Sequence, residues 1–69
     1  MPATNIFESF INKEISVKTQ DTMYYGKLIS IDGYLNCILE NSTIVFNNNE
    51  LKEDVLFIKG ASIDHISIK

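Results

Sequence analysis

The chain has 69 residues, one cysteine and one histidine, so an internal disulfide and the usual four-ligand zinc site are both excluded. Its net charge is −3, and all six basic residues are lysines, which argues against a broad basic surface that grips phosphates or an anionic membrane. A chain of this length forms one domain at most, residues 1–69, and buries only roughly 60% of its unfolded surface, so we expect partner chains to stabilise it.

The first segment predicts a short helix. Asn5 can cap this helix, with Glu8 three residues later in the capping-box position. The apolar residues of the segment cluster on one helical face: Ile6, Phe7, Phe10 and Ile11. This face predicts a helix that lies on a core as a lid over one open end of a sheet.

From residue 14 the pattern changes to alternation. Ile15, Val17 and Thr19 share one side, which is typical of a half-buried strand. A turn at residues 20–22 leads to a second strand over about 23–31, and Asp32-Gly33 predicts a two-residue type I′ hairpin turn. Gly26 lies inside the second strand, where glycine indicates a sharp bend or a close backbone approach.

A third strand is predicted from Tyr34 and either bends away near Glu40 or continues through residues 44–46. The polar stretch 47–53 predicts a turn. Residues 55–58 predict a fourth strand that is apolar on both faces, residues 59–62 a tight connection, and residues 63–68 a fifth strand.

These elements predict a mostly β fold, in which a short N-terminal helix precedes a five-stranded, strongly bent antiparallel sheet that forms a small open barrel. The apolar fourth strand would leave an edge open to pairing with another chain, and edge-to-edge pairing around a ring would bury it. The interface residues we expect are Val55, Phe57, Ile58, Ile66 and Ile68. No apolar run reaches the roughly 18–20 residues of a membrane span, so we expect no membrane partner.

Two segments carry a resemblance to a known family. Residues 26–39 look like the first Sm motif, in which Gly, Leu, Asp, an apolar residue, Asn and Leu stand at fixed offsets: Gly26, Leu28, Asp32, Leu35, Asn36 and Leu39. Residues 57–60, followed by apolar Ile63, look like the shorter second motif. The chain therefore resembles the Sm/Sm-like family of RNA-binding ring proteins, and the intact Ile58-Lys59-Gly60 step favours the Sm-like branch.

The resemblance implies the Sm fold and a ring of subunits. Single-stranded RNA would bind at the central hole of this ring, with one nucleotide pocket in each subunit. Tyr34 would stack on a base, a contact worth ~1–3 kcal/mol. Asn36 would read a base edge, with Asp32 fixing its side chain. Lys59 would close the other side of the base or neutralise a phosphate, and Gly60 would let the backbone approach closely.

The function that the resemblance implies is a subunit of a heteromeric, seven-membered Sm-like ring that binds the 3′ end of U-rich RNA. Such rings act in pre-mRNA splicing or mRNA decay, in the nucleus and the cytoplasm. Three alternatives stay open: a subunit of the spliceosomal Sm core, a structural ring subunit whose neighbours hold the RNA, and a homo-oligomer of the isolated chain. We expect no catalytic residues, cofactor, metal or small-molecule substrate, because no nucleophile–base pair or phosphate loop is recognisable.

Two positions depart from the family pattern. Leu35 stands where the family usually has Met, a tolerable apolar exchange. Lys59 stands where the family usually has Arg. Arg stacks flat on a base and offers a planar fork of donors, whereas Lys is a mobile point charge. The sequence therefore predicts weaker base clamping at this subunit.

Overall fold

The computed structural model describes residues 6–69, which form a short N-terminal helix and one five-stranded sheet. The strands are β1 (Glu14–Thr19), β2 (Thr22–Ile31), β3 (Cys37–Phe46), β4 (Asn49–Ile58) and β5 (Ile63–Ile68). Every pairing is antiparallel and the order is β4-β3-β2-β1-β5. The sheet therefore ends in β4 on one side and β5 on the other, which confirms the predicted open, mostly β architecture.

The core lies inside the curve of the sheet. In β1, Ile15 and Val17 are fully buried and Thr19 is 9% exposed, which confirms the predicted alternation of this strand. The buried apolar residues are Ile15, Val17, Leu28, Ile31, Cys37, Leu39, Ile58 and Ile66. Within residues 6–69, no helix has the length and apolar character needed to cross a membrane.

The predicted lid is a 3₁₀ helix, Ile6–Phe10. Its aromatic residues Phe7 and Phe10 contact each other edge to face, with ring centroids 5.3 Å apart. Both rings, together with Ile11, pack against the core. The helix thus covers one end of the curved sheet, as its apolar face predicts; the proposed cap at Asn5 lies outside the described residues.

Strands β2 and β3 approach each other closely at Gly26, where their pairing is irregular. A Cβ atom at this position would lie 3.1 Å from both Cα and Cβ of Ser42 on the neighbouring strand. Opposite the glycine, Asn41 adopts a left-handed backbone with φ of 51°, and the pairing of β2 with β3 shifts register between Tyr25 and Lys27. The prediction of a close backbone approach at Gly26 is confirmed.

The hairpin turns differ from the prediction. Asp32-Gly33 is not a two-residue type I′ turn, because no glycine has positive φ and the connection runs from Asp32 to Asn36. The residue in the left-handed region is Leu35, with φ of 67°. Two consecutive positive φ values, 55° and 66°, occur instead at Asn47 and Asn48, where they make the tight turn between β3 and β4.

Two strand boundaries also need correction. The third strand begins at Cys37 rather than at Tyr34, and it continues without a break to Phe46. The polar stretch 47–53 is not a long turn, since β4 already begins at Asn49. The polar residues of this half of β4 are exposed, and an antiparallel strand with a solvated face accommodates them while its backbone pairs with β3.

The expected interface residues fall into two groups. Val55, Phe57 and Ile68 are 65%, 59% and 48% exposed, so their side chains are available to a partner. Ile58 and Ile66 are only 5% and 8% exposed and belong to the core. Their side chains therefore stabilise the fold of the single chain, and a role for these two residues at the subunit interface stays a prediction.

We expect Gly26→Ala to destabilise the chain by about 1–3 kcal/mol, because the new methyl group crowds the backbone of β3. Gly33→Ala is the matched control, since a Cβ there meets nothing within 4 Å and its effect should stay within about 0.5 kcal/mol. Urea unfolding of both variants measures the difference. Equal stabilities would contradict the close approach at Gly26.

Candidate nucleic-acid interface

The β2–β3 loop is organised by the carboxylate of Asp32. Its Oδ1 accepts the backbone N–H of Tyr34 at 2.8 Å and that of Asn36 at 3.0 Å. Its Oδ2 accepts the side-chain amide of Asn36 at 3.0 Å. The predicted role of Asp32 in orienting the Asn36 side chain is therefore present in the structure.

These hydrogen bonds favour the charged form of Asp32. The pKa of this carboxyl is lowered, first by the side-chain amide of Asn36 and further by the backbone N–H groups of Asn36 and Tyr34; desolvation opposes the shift. Asp32 is thus a carboxylate at neutral pH, and it acts as a fixed acceptor within the loop.

The same asparagine ties the loop to the β4–β5 connection. Gly60 donates its backbone N–H to Asn36 Oδ1 at 2.7 Å. A side chain at Gly60 would overlap the carbonyl oxygen of Tyr34 and lie 2.8 Å from the carbonyl carbon of Leu35. The close approach predicted for Gly60 is therefore to the backbone of the other loop, and glycine is needed there so that the two loops can touch.

Leu35, which precedes Asn36, has a left-handed backbone with φ of 67°. Left-handed backbone at a non-glycine residue costs of order 1–3 kcal/mol and persists only where surrounding contacts impose it. Here the N–H of Leu35 donates to the Asp32 carbonyl oxygen at 3.0 Å, and its side chain packs against the core. Leucine gives no sequence signal for this conformation, so the sequence did not reveal this feature of the site.

Tyr34 and Lys59 are the exposed groups of the assembly. Tyr34 is 84% exposed, because it lies at the tip of the loop and not on a strand. Lys59 is exposed and immediately precedes the short 3₁₀ turn Gly60–Ser62. The structure thus brings Asp32, Asn36 and Gly60 into direct contact and places Tyr34 and Lys59 beside them in sequence.

The neighbouring thiol has no role as a nucleophile in this arrangement. Cys37 is fully buried and donates to the carbonyl oxygen of Leu35 at 3.1 Å. Burial, with a smaller contribution from the charge of Asp32, raises its pKa to about 11, so the reactive thiolate is scarce at neutral pH. Within residues 6–69, no group of three or more His, Cys, Asp or Glu side chains is placed to hold a metal ion.

A groove lies elsewhere, along the gap between β4 and β5, the two ends of the sheet. Its volume is about 560 Å³. Apolar side chains line it from β2, β3 and β4, among them Tyr24, Phe46 and Leu56, while Asp64 and Lys59 lie at its margin. Lys59 lines this groove, whereas none of Asp32, Tyr34 and Asn36 does.

Comparison with known proteins agrees with this geometry. The family model described as the LSM domain matches residues 5–68. The U6 snRNA-associated Sm-like protein LSm6 of Vanderwaltozyma polyspora is 39% identical and covers 94% of this chain and 84% of its own length. The LSM complex subunit LSM6 of Saccharomyces cerevisiae is 35% identical, with 93% and 81% covered.

Solved structures show the same fold. A heptameric archaeal Sm protein has a TM-score of 0.83 and 26% identity, covering 91% of this chain and 94% of its own. The Pyrococcus abyssii Sm protein, solved in complex with a uridine heptamer, has a TM-score of 0.85 and 20% identity, with 93% of each chain covered. At that identity the second likeness concerns the fold. Both confirm the predicted Sm fold.

The Asp32–Asn36 contact predicts that acid changes the stability of the wild type and of the Asn36→Asp variant in opposite directions. Because the folded pKa of Asp32 is lowered, its contribution to stability is present above the ordinary value of 3.8 and is lost as the pH falls through the folded value. In Asn36→Asp a second carboxylate faces Asp32. This variant should be less stable at neutral pH, and it should recover relative to wild type as the pH falls and one of the two carboxyl groups becomes protonated.

Thermal unfolding between neutral and acidic pH measures this crossover. Asn48→Asp is the control, since it adds the same charge in the exposed β3–β4 turn. If Asn36→Asp and Asn48→Asp show the same pH dependence, the Asp32–Asn36 contact does not form.

Proposed function

Because the chain belongs to the LSM-domain family, we propose that it is one subunit of a heteromeric Sm-like ring that binds the 3′ end of U-rich single-stranded RNA. The observation that carries this proposal is the pairing of the two motif loops through Asn36, which both Asp32 and Gly60 hold by hydrogen bonds. The relatives support it by name, one being U6 snRNA-associated and the other an LSM complex subunit.

The loop pair offers the contacts that one nucleotide needs. The exposed ring of Tyr34 is a flat surface on which a base can stack, and stacking tolerates any base. The hydrogen bonds to Asp32 and Gly60 engage one amide proton and one lone pair of Asn36. Its second amide proton can donate to a base carbonyl, an acceptor that uracil presents. Lys59 supplies the positive charge for a phosphate.

The two edge strands of the sheet are consistent with assembly into the proposed ring. Within residues 6–69, β4 and β5 each pair with one strand, so each carries an edge that can accept a neighbour's strand. Val55 and Phe57 of β4 expose apolar side chains beside that edge. Pairing β4 of one subunit with β5 of the next is a head-to-tail contact between different surfaces, and repetition of such a contact closes a ring.

Cellular role and location follow from the same proposal. A subunit of this kind acts in pre-mRNA splicing or mRNA decay, in the nucleus and the cytoplasm, and it binds RNA without catalysing a reaction. The name of the relative from Vanderwaltozyma polyspora, which associates it with U6 snRNA, supports the nuclear splicing branch of this proposal.

Two observations favour a second candidate, a structural subunit whose neighbours hold the RNA. Asn36 already uses part of its hydrogen-bonding capacity within the chain. Lys59 also lacks the planar fork of the arginine that the family usually carries. In such a subunit the Asn36 bridge would maintain loop shape, and Tyr34 would not contact a base.

We expect Tyr34→Ala to weaken binding of oligouridine to the assembled ring by ~1–3 kcal/mol, roughly 5- to 150-fold in Kd, through loss of the stacking surface. Tyr34→Phe is the control and should bind like wild type, because it keeps the ring. Fluorescence anisotropy titration at one fixed salt concentration measures both. Unchanged affinity in Tyr34→Ala would contradict the pocket and favour the structural candidate.

We expect Phe57→Lys to reduce recovery of the other ring subunits when the tagged chain is purified, because burying an unpaired charge at the β4 edge is unfavourable. Ile29→Lys is the control, as Ile29 is 38% exposed on β2, away from both edges. Quantitative mass spectrometry of the co-purified chains compares the two. Equal recovery would place the subunit contact away from β4.

A further inference from the structure

We propose that the convex face of the sheet carries a second contact site for single-stranded RNA, centred on Tyr25 and flanked by Lys52 and Lys69. The convex face is the outer surface of the curved sheet, opposite the core. Tyr25 and Lys52 belong to strands and Lys69 directly follows β5, whereas the site of the proposed function lies on the two motif loops. An experiment can therefore disprove one of the two sites without disproving the other.

Strand pairing places the centre of this face. Ser16 pairs with Ser67 on one side and with Tyr25 on the other. Tyr25 in turn pairs with Thr43, and Thr43 with Lys52. Paired residues of neighbouring strands point to the same face, so one row of side chains crosses all five strands. The row points outward, because the next residues along β1 and β2, Val17 and Gly26, are buried.

The row contains a shallow groove with an aromatic ring and two cations. The groove has a volume of about 240 Å³ and is lined by Tyr25, Thr43, Val45, Glu50, Lys52 and Lys69. Lys69 Nζ lies 5.4 Å from the centroid of the Tyr25 ring. Lys52 Nζ donates to Thr43 Oγ1 at 3.0 Å. One ammonium group thus lies over the aromatic ring, from the residue that follows β5, and the other lies in the same groove, from β4.

Charge is distributed unevenly between this face and the remaining surface. Pairing and contact with Tyr25 assign to the convex face four of the six lysines and three of the nine acidic residues: Lys18, Lys27, Lys52, Lys69, Glu14, Glu40 and Glu50. These residues together carry +1, whereas the whole chain carries −3; Asp54, which lines a neighbouring groove with Thr43 and Lys52, is not among them. Two of the lysines, Lys52 and Lys69, line the groove beside Tyr25, together with Glu50.

This combination favours a nucleic-acid strand over an acidic peptide. Grooves that bind single strands without reading their sequence combine cations for the phosphates with aromatic rings for the bases. A base can replace the Lys69 ammonium on the Tyr25 ring, and the ammonium can then pair with a phosphate. The hydroxyl groups of Ser16 and Ser67, 3.0 Å apart on the same row, can donate to phosphate oxygens. An acidic peptide would engage the lysines and leave the ring unused.

Photo-crosslinking tests the position of the site. The full chain, in the assembly that it forms, is irradiated with a thiouridine-labelled RNA that is long enough to extend beyond the loop site, and is then digested with trypsin. Cleavage after Lys18 and Lys27 separates Tyr25, on peptide 19–27, from Tyr34, on peptide 28–52. We expect an adduct at Tyr25 with the long RNA, and this adduct should persist in Tyr34→Ala. No adduct on peptide 19–27 would overturn the proposal, whatever is found on peptide 28–52.

Affinity measurements test the chemistry. Tyr25→Leu should weaken binding of the long RNA at least about fivefold, whereas Tyr25→Phe should not. Lys69→Gln should lower the slope of log affinity against log salt by roughly 0.7, the value for one phosphate on a single strand. Lys13→Gln is the matched control, since Lys13 is exposed just before β1 and outside the convex face. Equal slopes for the two lysine variants would overturn the proposal.

A second ligand separates RNA from protein partners. The same variants are titrated with a glutamate-rich peptide of matched charge. Lysine-dependent binding of the peptide, without loss of RNA affinity in Tyr25→Leu, would assign the convex face to an acidic protein segment and overturn the RNA assignment. Weak peptide binding that is unaffected by the variants is the result expected of an RNA site.

Discussion

The side chain of Asn36 holds the candidate site together. Its amide nitrogen donates to Asp32 within one loop, and its amide oxygen accepts the backbone N–H of Gly60 from the other. One neutral side chain therefore fixes the distance between two loops that lie 24 positions apart in the chain. The bridge requires the absence of a side chain at Gly60, and Leu35 beside it has a left-handed backbone. Local backbone strain of this kind is typical of binding sites that are formed before the ligand arrives.

The bridge matters because the scaffold below it is small. Strands β2 and β3 lie close together at Gly26, and the short chain encloses a core between its own strands. The open sheet leaves β4 and β5 as its two ends. Exposed apolar side chains on β4 and a groove of about 560 Å³ between these ends are the surfaces that remain to be covered. The monomer fold and the need for partners thus have one physical cause.

The sequence predicted the parts of this structure that depend on local pattern. Alternation in β1, the glycine at the bend and the pairing of Asp32 with Asn36 were all expected and are confirmed. The turns were harder. Asp32-Gly33 has the composition of a tight hairpin turn, but the hydrogen bonds of the Asp32 side chain impose a longer loop, and the tight turn forms at Asn47-Asn48.

Features that depend on contacts between distant segments could not be predicted. The hydrogen bond from Gly60 to Asn36 is one such feature. The burial of Ile58 and Ile66 is another, because apolar residues on a predicted edge strand suit a core and an interface equally well. The extension of β4 into a polar stretch is a third. There, pairing with β3 prevails over the low strand propensity of asparagine and the acidic residues.

The central claim is that this chain works as one subunit of an RNA-holding ring of unlike Sm-like chains. Native mass spectrometry of the complex that is gently purified with the tagged chain from its own cells tests it most directly. We predict a single assembly whose mass accounts for one copy of this chain, several different Sm-like chains and a bound RNA. A monomer, or an assembly with proteins of an unrelated class, would contradict the claim and leave the loop pair as a feature of the fold alone.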